Sequence, residues 1–506
     1  MLFNSGSFLF AFLPIVMGGL ALLHRFFGRE VSLGWLAACS LFFYGCWSPA
    51  QVPLLLGSIL LNFWIGTRLQ QPDSKCRPQL LLAGVVINLG LLAYYKYWPF
   101  VVTTAAQIAG QTWSAEPLEL PPGISFYTFH QLTYLIQCNL GRTLGTAFNH
   151  YLIYITFYPQ LIAGPIVRPH EMLPQLTSPR PRAFEWNELS VGIFLLAVGL
   201  FKKMVIADYV AVWVSPVFDV WAKIGTVTML DAWVAALAYT FQLYFDFSAY
   251  SDMALGLALM VGIRMPANFF SPYKAVSIID FWRRWHITLS LFLRDYLYIP
   301  LGGGRCGWLR QQFNLLLVMI IGGFWHGAGW TFGAWGLWHG LCLVVNHAWR
   351  TVGLQGRLGR VLSWGVTFLS VIVGWTIFRA PDLGTAWNVL RSLMGAQGMQ
   401  LPPGWLQKMP LLTKLCITGT EDWTVFTGPI QLVVLGGLMA GCLILPNAVQ
   451  LTRGSFTLPN EATLPKGPNP WFSWRPDWRW AVITGAAFVA AFLHLGKISE
   501  FLYFQF

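Results

Sequence analysis

Residues 311–348 read QQFNLLLVMIIGGFWHGAGWTFGAWGLWHGLCLVVNHA, an apolar run of 38 residues. A helix that crosses a bilayer core of about 30 Å needs about 20 such residues. Thirty-eight residues at about 1.5 Å each would make about 57 Å of helix, far more than one straight span. The run must therefore break, and the glycines at 322, 323, 327 and 329 mark the place. His326 sits at that break, between Trp325 and Gly327. An imidazole at membrane depth needs a hydrogen-bond partner or a chemical role.

The rest of the chain is of the same kind. Of 506 residues, 56% are hydrophobic and 10% charged, where a soluble domain carries about 25% charged residues. Apolar runs lie near 6–23, 32–47, 51–67, 79–103, 123–140, 150–167, 191–216, 230–262, 362–378, 428–446 and 479–497 besides the opening stretch. This is the pattern of an all-α polytopic membrane protein with about 11–13 transmembrane or re-entrant helices. The first run, FLFAFLPIVMGGLALL, has no basic segment ahead of it and no small-residue cleavage site, so it reads as a retained span.

The net charge of +12 does not point to nucleic acid, because the basic residues sit in short loops between spans. Arg25 and Arg29 follow the first span, and Arg68, Lys75 and Arg77 follow the third. Both loops are expected on the cytoplasmic side, with the N-terminus outside. The acidic loop 104–121, with Glu116 and Glu119, fits the outer side. The eight cysteines form no CxxC pair and no zinc spacing, so neither a disulfide framework nor a metal site is expected.

Simple alternation fails after Arg142, because full passage of 150–167 would put Arg168, Arg180 and Arg182 outside. The stretch FYPQLIAGPIVRP (157–169), with three prolines and a glycine, is expected to be broken or re-entrant. Irregular backbone at membrane depth requires cover from protein or water, which implies a central cavity. Residues 264–310 carry seven Lys and Arg against two Asp, a net +5. Their centre, DFWRRWHITLSLFLRDYLYIPLGGGR, is expected to form a helix in the interface or across the mouth of the cavity. The stretch 452–478 is polar and Pro-rich and reads as an extramembrane loop.

Three of the nine histidines stand out: His286, His326 and His339. His326 reads in two ways. It is an imidazole satisfied by a nearby carbonyl at the helix break, or a general base able to accept a hydroxyl proton near its ordinary pKa of about 6.5. Trp325 and Trp330 would wall out water in the second reading. His286 is either an interfacial residue on a helix or a group that supports His326 or holds a donor. His339 repeats the local text of His326, but on one continuous helix the two would face different ways. The run 302–305, Gly-Gly-Gly-Arg, suits phosphate binding through backbone N–H groups and guanidinium. Asp246, inside an aromatic span, is a costly carboxylate that could join Tyr250 and Asp252 in a polar network.

These residues lie in long blocks: PPGISFYTFHQLTYLI (121–136), FYPQLIAGPIVRP (157–169), FQLYFDFSAYSDMALGLALMVGIRMPANFFSPY (241–273), DFWRRWHITLSLFLRDYLYIPLGGGR (280–305), FWHGAGWTFGAWGLWHG (324–340), GWTIFRA (374–380) and the closing FLYFQF. In this order they resemble the membrane-bound O-acyltransferase family, in particular its bacterial branch that acetylates exopolysaccharides such as alginate. The chain departs from that pattern at Gln137 and Asn139, where relatives commonly carry an acidic residue.

The resemblance implies a single membrane domain over 1–506 built around a tunnel. It would comprise N-terminal spans in 1–120, a catalytic core in 121–380 that includes the basic segment 264–310, and C-terminal spans in 381–506. It further implies His326 and His286 as the catalytic histidines, with Trp325, Arg284, Asp246, Asn268 and Arg305 as substrate-binding candidates. Acetyl-CoA would be the co-substrate, with no bound cofactor or metal. The setting would be a bacterial inner membrane with the N-terminus in the periplasm, and the partner a periplasmic SGNH-type acetyltransferase. Alternatives are acetylation of cellulose or peptidoglycan, or D-alanyl transfer to teichoic acid. A transporter of a lipid-linked intermediate is disfavoured by the lack of two similar halves.

Overall fold

The computed structural model describes the chain except for residues 72–75, 114, 117, 144, 179–183, 226, 355, 400–424, 466–471, 497–498 and 503–506. Lys75, Arg180, Arg182, Cys416, part of the 452–478 loop and the last four residues of FLYFQF lie outside the described residues. The described elements are all helical, and they contain no β-sheet.

Among the described residues, six helical stretches are long and apolar enough to cross a membrane: Phe8–Phe27, Pro49–Leu69, Arg77–Ile108, Trp186–Ala211, Gly359–Arg379 and Pro429–Leu451. The other expected spans, apart from 150–167, are also mainly helical, but they are shorter or more polar. Arg29–Gly45 has 17 residues, and Ile124–Asn139 has 16, of which fourteen are buried. A helix covered by protein on nearly every side need not be apolar enough for lipid, which is why polar residues such as His130, Gln131 and Thr133 are tolerated in it. Three further helices, Met229–Met260, Trp308–His326 and Trp330–Thr351, reach spanning length without the hydropathy of a lipid-facing helix.

The two expected breaks are present. The run 150–167 is helical only over Phe148–Thr156, is irregular over 157–168, and resumes at Pro169–Thr177. Val167 N–H donates to Nε2 of His130 at 3.2 Å, and Tyr154 Oη donates to the Val167 carbonyl at 3.0 Å, so side chains satisfy part of that irregular backbone. The run 311–348 is two helices separated by 327–329.

Residues 264–310 correct the expectation of one interfacial helix. They form irregular backbone with a single helical turn at Pro272–Lys274, then short helices at Ile278–Trp282 and Ile287–Leu293 and a wide turn at Arg294–Tyr298.

By contact density the chain forms two compact units. One comprises residues 1–204, 248–268 and 448–505. Within it, Trp186–Phe201 packs closely on the last turns of Met229–Met260. A Cβ at Gly192 would crowd the Gly256 carbonyl, and one at Gly199 would crowd the Ala249 carbonyl. Small residues allow this approach of backbones. Lys202, directly after the first of these helices, forms a buried ion pair with the second, Lys202 Nζ to Asp252 Oδ2 at 2.6 Å. Asn62 and Asn88 exchange amide hydrogen bonds at 3.2 and 2.7 Å, joining two more helices of this unit.

The second unit comprises residues 205–247, 269–447 and 506. Its described core is aromatic. Trp285 and Trp375 have ring centres 4.7 Å apart, and Phe281, Tyr273 and Trp335 stack around them. Asp382 accepts the Thr385 N–H at 2.8 Å and starts the helix Leu383–Leu393.

Candidate active site

His326 ends the helix Trp308–His326, and Gly327 leaves it in extended backbone. The chain returns as Trp330–Thr351, and the two helices lie close together. A Cβ at Gly323 would strike the Phe332 carbonyl, one at Gly336 the Met319 carbonyl, and one at Gly327 the Phe332 ring. The glycines that mark the break thus also permit the hairpin. Its tight packing fixes where His326 points.

The His326 side chain is buried among rings. Trp335 lies edge-on at 5.2 Å between ring centres, and Phe378 lies edge-on at 5.4 Å. Trp335 comes from the returning helix, and Phe378 from the end of Gly359–Arg379. That helix end is fixed in turn, because the Arg379 guanidinium donates to both Asp219 oxygens at 3.1 and 2.8 Å.

His286 arrives from the basic segment. Its ring centre is 6.1 Å from that of His326 and 6.1 Å from that of Trp325, and Phe247 meets it edge-on at 4.8 Å. The residue is fully buried. It does not lie on a helix, as its sequence setting suggests, but between two helices with φ 42° and ψ 53°. A non-glycine residue in this left-handed region carries strain, and such strain recurs at functional sites.

The structure therefore brings His326, His286 and Trp325 together. Asp246 is buried on Met229–Met260, one residue before the Phe247 that touches His286. Its expected neighbour Asp252 is instead paired with Lys202. Asn268 belongs to the first unit, where its amide donates to Ser251 Oγ at 3.3 Å. The Arg284 guanidinium is occupied by protein: Nε donates to Asp280 Oδ1 at 2.9 Å and Nη1 to the Phe270 carbonyl at 3.3 Å. Arg305 is exposed on a turn in which Gly302 and Gly303 have φ of 106° and 56°.

Several cations of 264–310 are already engaged. Arg264 pairs with Glu188, Arg294 with Asp295, and Lys274 Nζ donates to the Leu445 carbonyl. Arg283, Arg305 and Arg310 are exposed and make no ion pair among the described residues.

His339 lies one tryptophan beyond His326. Trp335 is 5.0 Å from its ring and 5.2 Å from that of His326. Phe281, Trp282 and Trp375 complete the box around His339, and neither of its nitrogens has a hydrogen-bond partner among the described residues. Sequence reasoning singled out His339 but missed Trp335, Phe378 and Phe247. Their signal is weak, since aromatic residues are abundant throughout this chain.

Chemically, the arrangement puts two buried imidazoles with ring centres 6.1 Å apart among aromatic rings. Imidazole is the side chain best suited to exchange a proton with a hydroxyl near neutral pH.

A sequence profile of the membrane-bound O-acyltransferase family matches residues 146–373, which include all seven candidate site residues. The peptidoglycan O-acetyltransferase of Helicobacter pylori is 40% identical over 430 residues, covering 79% of this chain and 81% of that protein. A protein of Pseudomonas putida named as a probable alginate O-acetylase is 37% identical over 522 residues, covering 100% of both. The teichoic acid D-alanyltransferase of Streptococcus thermophilus is 28% identical over 279 residues, covering 51% of this chain and 67% of that protein.

Proposed function

The chain belongs to the membrane-bound O-acyltransferase family and is a multi-pass membrane acyltransferase; from that premise we propose that it moves acetyl groups from cytoplasmic acetyl-CoA across the bacterial inner membrane, for O-acetylation of an exopolysaccharide such as alginate. One observation carries the reading: His326 and His286, from separate segments, meet with ring centres 6.1 Å apart inside an aromatic enclosure. His326 is the general base. It takes the proton of an acceptor hydroxyl as that oxygen bonds to the acetyl carbonyl carbon. The carbon–sulfur bond breaks, and the departing thiolate takes up that proton from the His326 imidazolium, which restores the neutral base. His286 faces the same volume and orients the acetyl carbonyl, while Trp325 and Trp335 exclude water.

Exposed Arg305, with Arg283 and Arg310, suits the donor's phosphates, and Asp246 and Asn268 remain candidates for contact with substrate. The N-terminus lies in the periplasm on this reading, supported by the basic loops that hold Arg25, Arg29, Arg68 and Arg77. The acetyl group passes to a periplasmic SGNH-type acetyltransferase that esterifies the polymer, within surrounding membrane lipid. Full-length similarity to the Pseudomonas putida protein favours an exopolysaccharide. Similarity to the Helicobacter pylori enzyme keeps peptidoglycan as the second acceptor.

The test supplies labelled acetyl-CoA to inverted membrane vesicles from cells that make the protein, its polymer and its periplasmic partner. Label is expected in alkali-labile esters of the polymer, and none in vesicles without the chain. Equal labelling in both overturns the proposal.

A further inference from the structure

The left-handed backbone at His286 lies beside a reciprocal pair of hydrogen bonds. Phe270 N–H donates to the Arg284 carbonyl at 2.9 Å, while the Arg284 guanidinium donates back to the Phe270 carbonyl at 3.3 Å. Two stretches, 269–271 and 283–286, are thereby locked side by side. Both residues just beyond the lock are left-handed and not glycine: Ser271 at φ 49° and His286 at φ 42°. They are the only non-glycine residues with positive φ among the described residues. The far side of the guanidinium is fixed by Asp280 at 2.9 Å, and Asp280 is itself set by the Ser277 cap, whose Oγ accepts the Asp280 N–H at 3.1 Å. From the outer side, Asn447 Nδ2 donates to the Phe269 carbonyl at 2.9 Å.

A guanidinium suits this place because its planar fork meets a carboxylate and a carbonyl in two fixed directions at once. Lysine, a single point charge, cannot hold both. We propose that Arg284 is a positioning residue: it does not bind substrate but clamps the Phe270 backbone, and so holds His286 in the left-handed conformation that turns its imidazole toward His326. This rests on the acyl-transfer reading for its effect on activity, but not for its effect on backbone strain.

The experiment therefore has two arms, both on the full-length protein. In cells where the variant replaces the wild-type chain, Arg284→Lys is expected to lower polymer acetyl content about tenfold or more at unchanged membrane abundance, as small displacements of a reacting group do. In detergent, thermal melts of wild type, Arg284→Gln, His286→Gly and the double variant form a cycle. Glycine at 286 carries no left-handed strain, so the clamp has nothing there to enforce. Arg284→Gln is then expected to lower the melting temperature less in the His286 background than in the His286→Gly background, by about 1 °C or more, because breaking the clamp in the former also releases strain.

Equal melting losses in both backgrounds overturn the clamp, whatever the activity result. Wild-type acetyl content in Arg284→Lys overturns its role in positioning. If His326→Ala also keeps full acetyl content, the acyl-transfer reading is what fails, and the melting cycle alone then decides whether the clamp exists.

Discussion

At the scale of residues, His286 is the most informative side chain. It occupies backbone that glycine or asparagine would adopt more easily, yet it is fully buried against Trp325 and His326. Strain of about 1–3 kcal/mol is typical of such positions. A substitution that relieves it should cost less stability than one of similar size that does not. His286→Gly is accordingly expected to melt above His286→Ala in detergent, since both leave nearly the same cavity but only alanine keeps the left-handed strain, and both are expected to abolish polymer acetylation. A melting temperature for His286→Gly at or below that of His286→Ala would show that the conformation is unstrained. Both histidines stand out in the sequence by the aromatic blocks around them, but the left-handed turn does not. No glycine or proline falls between 278 and 293, so nothing local signals a break. The turn exists because of a backbone pairing with Phe270, fourteen residues before Arg284.

Elements were easier to read where length itself forced an answer. Thirty-eight apolar residues cannot be one span, and the hairpin breaks at the glycines, with His326 ending its first helix. The proline-rich stretch 157–169 interrupts its helix for similarly local reasons. The close contact inside the hairpin was less legible, since it depends on which glycines face the opposite helix. Gly336 does, and a methyl group there would run into the Met319 carbonyl. Gly336→Ala must push the two backbones apart, at a cost of about 1–3 kcal/mol. It is expected to lower the melting temperature and to reduce acetyl transfer per molecule, because Trp335 beside it walls the His326 ring. A glycine not facing a neighbour, Gly365, is the control: a Cβ there meets nothing within 4 Å, and Gly365→Ala should leave acetyl transfer unchanged and not lower the melting temperature, since alanine favours the helix it sits in.

For the whole molecule, composition announced a polytopic helical membrane protein, but hydropathy alone identifies only the helices that could face lipid. The helices that carry Asp246, His326 and Trp335 do not meet the hydropathy of a lipid-facing span. The Lys202–Asp252 pair escaped sequence reading, which set Asp252 in a polar network with Asp246 and Tyr250, because Lys202 lies fifty residues away and only folding joins the two. The basic segment divides in the same way: Arg264, Arg284 and Arg294 are each matched by a protein carboxylate, and Arg283, Arg305 and Arg310 are exposed. What the histidines do is decided by one comparison: the polymer acetyl content of cells in which His326→Ala replaces the wild-type chain, normalised to its abundance in the membrane. The account predicts a loss of about 100-fold or more, the least expected when a general base is removed. Acetylation at the wild-type level, by a variant inserted at the wild-type level, would contradict it.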